Sequence, residues 1–172
     1  MVSRDTRKRT LREALCGIFL GLMLVLGLVE SMIPVGAGIP GIKLGLSNSV
    51  LIFAVYMLDI PTAYELMVLK VTMASMMYAG FGAFLYALAG GVLSVTAMAL
   101  LSRVKGMHPV TVSMVGGVMH NVGQVAMAML MLNTPRLLYY MAVLMLVGLA
   151  TGALTGMCAH QVMKHLRHIR AK

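Results

Sequence analysis

Charge is scarce in this chain. Asp, Glu, Lys and Arg make up only 11% of its 172 residues, where a soluble domain carries about a quarter. Hydrophobic residues supply 60%, and mean hydropathy is +0.91. A globular core does not account for so large a deficit. The scarcity is also organised, since 14–29, 44–58, 71–102 and 106–135 hold no charged side chain at all. A helix needs about 20 residues to cross a hydrocarbon layer of roughly 30 Å. The two longest runs are therefore one crossing each plus connecting turns. The chain reads as a polytopic integral membrane protein.

Cysteine is nearly absent. Cys16 and Cys158 stand far apart, in neither a CxxC pair nor a metal-ligand spacing, and read as buried free thiols. Proline is rare and punctual: Pro34, Pro40, Pro61, Pro109 and Pro135 all fall where a turn is expected. Proline suits the first turn of a helix and is costly deeper in. Cutting there predicts an all-α bundle of six transmembrane helices at roughly 13–33, 44–58, 61–79, 82–102, 109–132 and 137–163. The second is short for a full crossing. The break between the third and fourth rests on Gly80 and Gly82. No internal repeat, low-complexity tract or soluble second domain stands out, so 1–172 reads as one transmembrane domain.

Acidic residues number five against fourteen basic ones, a net charge of +9. The distribution excludes nucleic acid as the partner, since the cations crowd the tails at 1–12 and 164–172 and flank apolar spans. Anionic lipid headgroups of the bilayer are the electrostatic partner this pattern fits. Lys and Arg are retained on the cytoplasmic side, so six spans put both termini there, together with Arg103 and Lys105. The basic-then-apolar N-terminus imitates a signal peptide. It lacks a small-residue cleavage site and runs into further spans, so it reads as an uncleaved first helix.

A charge inside a span costs about 2.5–3.5 kcal/mol at mid-helix, so each one needs a reason. Glu30 lies near the outer end of helix one, and Lys43 opens helix two across a loop rich in glycine and proline (34–43). The two either pair across that loop or snorkel separately to headgroups. Lys70 falls near the middle of helix three. Glu65 precedes it by one and a half turns, about 140° away, and does not share its face. Lys70 either fixes helix packing or meets a ligand. Helix five carries the densest polar stripe, GGVMHNVGQVA at 116–126. Gly117, His120, Asn121, Gln124 and Ala128 share one face. They serve interhelical hydrogen bonds or recognise a small polar molecule. His120 is the least unsuitable ligand for a haem or metal, but no carboxylate or cysteine joins it, and no metal is expected. His160, Lys164, His165 and His168 read as a cytoplasmic basic face. The nineteen methionines are scattered and read as adaptable filler. Ala14, Gly17 and Gly21 line one side of helix one, a small-residue groove suited to another helix.

The blocks ESMIPVGAGIPGIKLGLSN, LKVTMASMMYAGFGAFLYALAGGVLSVTAMALLSR and GGVMHNVGQVAMAMLM resemble the Gx transporter family, also labelled heptaprenyl diphosphate synthase component I. The resemblance spans about 12–165, and Lys70 stands where arginine is expected in the family, which keeps the charge but loses the fork geometry. That family is similar to the substrate-binding S components of energy-coupling-factor (ECF) transporters. The resemblance implies a site near the outer face formed by Glu30, Lys43, Asn48, His120, Asn121 and Gln124. It implies a lid over that site made by Pro34, Gly36, Gly38, Pro40 and Gly41. It also implies that Ala14, Gly17 and Gly21 dock a transmembrane coupling subunit with ATPases, in a bacterial cytoplasmic membrane. The first expectation is a small-molecule uptake subunit. The alternative is a non-catalytic membrane subunit of isoprenoid or quinone metabolism, or of flavin-linked extracellular electron transfer. The bound molecule would be a vitamin, flavin, quinone or haem. Prenyl elongation uses aspartate-rich segments that hold magnesium against diphosphate. This chain has two aspartates, Asp5 and Asp59, and no nucleotide-binding P-loop, so catalysis is not expected of it.

Overall fold

A computed structural model describes residues 4–32 and 46–170. Six α-helices make up the described residues: α1 (Arg4–Met32), α2 (Leu46–Met57), α3 (Ile60–Ala74), α4 (Phe81–Leu101), α5 (Pro109–Leu132) and α6 (Leu137–Arg170). Local chemistry sets their ends. Asp59 caps α3 by accepting from the Thr62 N–H at 2.8 Å, with Pro61 in the first turn. His108 Nδ1 accepts from the Val110 N–H at 3.3 Å ahead of Pro109, which opens α5. Asn133 stops α5 in the left-handed region at φ 47°, where a short polar side chain tolerates the strain.

α1, α4, α5 and α6 are long and apolar enough to cross a membrane. Of the six crossings expected, four are supported among the described residues. The described part of α2 has 12 residues, about 18 Å of helix, and α3 has 15 before it changes character. Ser75 Oγ donates back to the Val71 carbonyl at 2.8 Å, a bond that competes with the helical ladder and bends it. The chain then opens into one π-helical turn, Ser75–Ala79, closed by Gly80 N–H donating to Ser75 O. Gly80 itself, at φ 81°, makes the break before α4. Gly82 lies inside α4 and takes no part in it. The tails also differ from expectation. α1 begins at Arg4 and α6 runs to Arg170, so most of both basic tails is helical. In α1 the extension is held by Arg9 and Glu13, paired at 3.0 Å with i, i+4 spacing.

In hydrocarbon, helices gain little from burying apolar surface against one another, so close packing and interhelical hydrogen bonds must hold them. α5 packs most extensively on α6 and α4, α3 packs on α4 and α2, and α2 reaches α6. These five close into a ring, with α1 laid outside against α2 and α3. Arg12 joins α1 to the α2–α3 connection, pairing with Asp59 at 2.7 Å and donating to the Thr62 hydroxyl. Tyr64 and Thr96 hydroxyls share a bond at 2.7 Å between α3 and α4.

Those contacts gather the start of α1, the end of α2, the start of α3, the start of α5 and the end of α6 at one end of the bundle, the end that carries the chain termini. Most of the core fills that half: Met23, Ile52, Ala54, Leu66, Val95, Val112 and Met163 are all buried. The opposite half is built differently.

Candidate functional site

In the half away from the termini the helices line a partly open cavity of about 680 Å³, and every helix contributes to its wall. Ligand pockets fall at about 300–1,000 Å³. The cavity runs along α5 from Gly117 to Leu132 and along α6 from Leu137 to Thr151, a length of about 20 Å at 1.5 Å per residue. Its far limit is the α5–α6 turn, where Thr134 and Arg136 line it.

α5 presents the polar stripe to this space because glycines on both sides let it come close. A Cβ at Gly90 of α4 would lie 2.7 Å from the His120 carbonyl and 2.8 Å from Gln124 Cγ. On the other side a Cβ at Gly148 of α6 would lie 2.7 Å from Asn121 Nδ2. His120, Asn121, Gln124 and Ala128 all line the cavity. Asn121 also performs a packing task, since its Nδ2 donates to the Leu144 carbonyl of α6 at 2.6 Å. Of the two readings of the stripe, interhelical hydrogen bonding is thus seen at Asn121.

Glu30 reaches the cavity from the last turn of α1 and is only 5% exposed. A Cβ on Gly27, one turn earlier, would lie 2.6 Å from the Tyr78 hydroxyl, so the π-helical turn leans on α1 at this level. Lys70 lines the cavity from α3, in line with Ala74 and Tyr78 at i, i+4, i+8. Glu65 is exposed and is not part of the wall. Lys43 and the lid residues Pro34, Gly36, Gly38, Pro40 and Gly41 lie outside the described residues, as does the side chain of Asn48. Ala14, Gly17 and Gly21 are exposed along α1, and a Cβ at Gly17 or Gly21 would meet nothing within 4 Å.

The structure adds wall residues that the sequence reading leaves unassigned to a site: Ser47, Ser75, Tyr78, Tyr86, Arg136, Tyr140 and Thr151. Helical spacing from Lys70 leads to Tyr78, and spacing back from Thr151 leads through Leu144 to Tyr140. Below Thr151 lies a second void of about 10 Å³, beside the Ser113–Thr155 hydroxyl pair at 3.2 Å. That is room for one water at most. Among the described residues no three His, Cys, Asp or Glu side chains gather as metal ligands.

Fold and cavity together define a polytopic helical membrane protein with a partly open chamber of ligand size, apolar in most of its wall and polar at chosen points. The sequence matches the heptaprenyl diphosphate synthase component I family over residues 19–162, and the chain belongs to that family. No curated protein and no solved structure matches it.

Proposed function

We propose that this chain is a non-catalytic, membrane-embedded ligand-binding subunit of isoprenoid or quinone metabolism, whose chamber holds a small amphiphile for a partner enzyme. The observation that carries this is the chamber of about 680 Å³ on which polar groups from all six helices converge. The family description supports the metabolic setting, and it favours this reading over the uptake reading. A non-catalytic role fits the acids available. Asp59 is engaged as a helix cap and as the partner of Arg12, at the end of the bundle opposite the chamber. The chain has no aspartate-rich segment of the kind that holds magnesium against diphosphate.

Purification of the full chain into nanodiscs, followed by solvent extraction and mass spectrometry, tests the reading. A retained prenyl lipid or quinone is expected, and an absorbance spectrum gives a first look. His120→Ala combined with Gln124→Ala should lose it, while His160→Ala with His165→Ala should keep it. Equal retention in both double variants would place the molecule outside the chamber and end the proposal.

A second reading, uptake of a small molecule through a partner with ATPases in the manner of ECF S components, draws on a different observation. Gly17 and Gly21 expose a small-residue face on α1 that the other described residues do not cover, unlike Gly116, Gly117, Gly148 and Gly152, which are all packed against neighbours. Retention of a water-soluble vitamin in the same extraction, with Gly17→Leu abolishing co-purification of a coupling subunit, would favour it. Both readings keep the termini on the cytoplasmic face, following the positive-inside bias of the tails and of Arg103 and Lys105.

A further inference from the structure

We propose that the small void beneath the chamber is a water-binding site: one water molecule, held among Ser94, Ser113, Thr151 and Thr155, ties α4 to the α5–α6 pair. The site does not depend on what the chamber holds.

Hydrocarbon offers no hydrogen bonds, so a spanning bundle must satisfy its own polar groups. Several hydroxyls do so by bonding back to a carbonyl of their own helix. Thr72 donates to Val68 O, Ser75 to Val71 O and Thr96 to Val92 O. Ser94 of α4 does not. Its side chain is buried, at 3% exposure, and lines the void without a hydrogen bond to any described residue. A buried hydroxyl left in that state is costly, and a partner in the void removes the cost.

The other three hydroxyls have their protons placed already. Thr151 donates to Gly148 O at 3.4 Å and Thr155 to Gly152 O at 3.3 Å. With the Thr155 proton committed, Ser113 is the donor in the Ser113–Thr155 pair at 3.2 Å. Each of these oxygens keeps a lone pair. The void therefore faces three acceptors and one uncommitted donor, Ser94. Water matches that set, accepting from Ser94 and donating twice to the oxygens opposite. A metal cation accepts no hydrogen bond, and no carboxylate among the described residues lines the void to balance its charge. The volume of about 10 Å³ suits one water and nothing larger. Glycine makes the room: a Cβ at Gly116 would lie 3.4 Å from Ser94 Oγ. Gly117 and Thr151 line both spaces, so the chamber adjoins the site and supplies its water.

Water-edited solid-state NMR on the full chain in lipid bilayers, with serine and valine carbon-labelled, tests this. Magnetisation from water should reach Ser94 and Ser113 faster than it reaches their chain neighbours Val95 and Val112, which are equally buried. Ser94→Val puts methyl groups into the void and should abolish the transfer at Ser113. A double-mutant cycle reads the same water energetically, because Ser94 and Thr155 share no direct bond. Ser94→Ala and Thr155→Val should couple by about two- to tenfold in the unfolding constant, the scale of one hydrogen bond. Exchange of sodium for choline in the buffer should leave the melting temperature unchanged. Transfer at Ser94 no faster than at Val95, or strictly additive losses in the cycle, overturns the proposal. A sodium-dependent melting temperature that vanishes in Ser94→Ala overturns it too, since the void would then hold an ion. If Ser94→Val fails to fold, the wild-type transfer and the cycle decide.

Discussion

At the scale of single residues, Asp59 shows how one carboxylate can hold several elements at once. It caps α3 through the Thr62 N–H and pairs with Arg12 from α1. The Thr62 hydrogen bonds, aided by Arg12, hold its carboxyl below the usual value of 3.8, against a smaller opposing effect of burial. A group whose folded pKa is depressed stabilises the fold fully above its unfolded value, and the effect is lost as pH falls through the folded one. Asp59→Ala should therefore destabilise the protein in detergent by about 0.5–2 kcal/mol near neutrality, the scale of a lost N-cap. Asp59→Asn keeps the cap acceptor and loses only a partly solvated ion pair, worth about 0.2–1 kcal/mol. Melting curves of wild type and Asp59→Asn should differ at pH 7 and converge as the pH drops below the carboxylate range. A gap that stays constant with pH would mean that the charge of Asp59 does not matter. In the sequence Pro61 marks this helix start correctly. The partnership with Arg12 is not legible there, because it depends on α1 and α3 starting at the same end of the bundle.

At the scale of elements, glycine spacing decides which helices touch. Gly148, Gly152 and Gly156 recur every four residues on α6, and each would put a Cβ within 2.7 Å of α5 atoms. The partners are backbone for the most part, including Gly117 O and Met114 Cα. Flexible side chains can yield and backbone cannot, so Gly148→Ala should cost about 1–3 kcal/mol as an overpacked contact. Gly17→Ala, on an open face of α1, should instead be neutral or gain about 0.4–1 kcal/mol by restricting the unfolded chain. Thermal unfolding of the two variants side by side checks both signs; equal losses would show that α5 and α6 are not held by close approach. The small face of α5 is legible from 116–126 alone. Its partner is not, since a four-residue repeat of glycine says that some backbone comes near and leaves open which one. The shortness of α2 is likewise visible in its sequence. The π-helical turn is not, because Ser75 carries no mark that distinguishes an ordinary helical serine from one that opens the ladder.

At the scale of the whole molecule, the division into a packed half and a hollow half is what the sequence conceals most. Apolar residues populate both halves alike, and the polar stripe of α5 faces a chamber only because the ring of five helices closes around it. Glu30, Lys70 and His120 come from three helices separated by long stretches of chain, and no local pattern links them. A hollow of this size is also a stability reserve left unused, since filling cavities commonly adds about 0.5–2 kcal/mol. Ala87 and Ala128 face the space from α4 and α5, and a phenyl ring at either would enter the void instead of colliding with a wall. Ala87→Phe and Ala128→Phe should therefore melt higher than wild type when no guest is present. Both should also lose the extra stabilisation that a bound guest confers through mass action. Those two effects oppose one another only if the emptiness serves binding. Thermal shift assays with and without dodecyl phosphate resolve them, and a filled variant that still responds to the probe would show that the guest sits elsewhere.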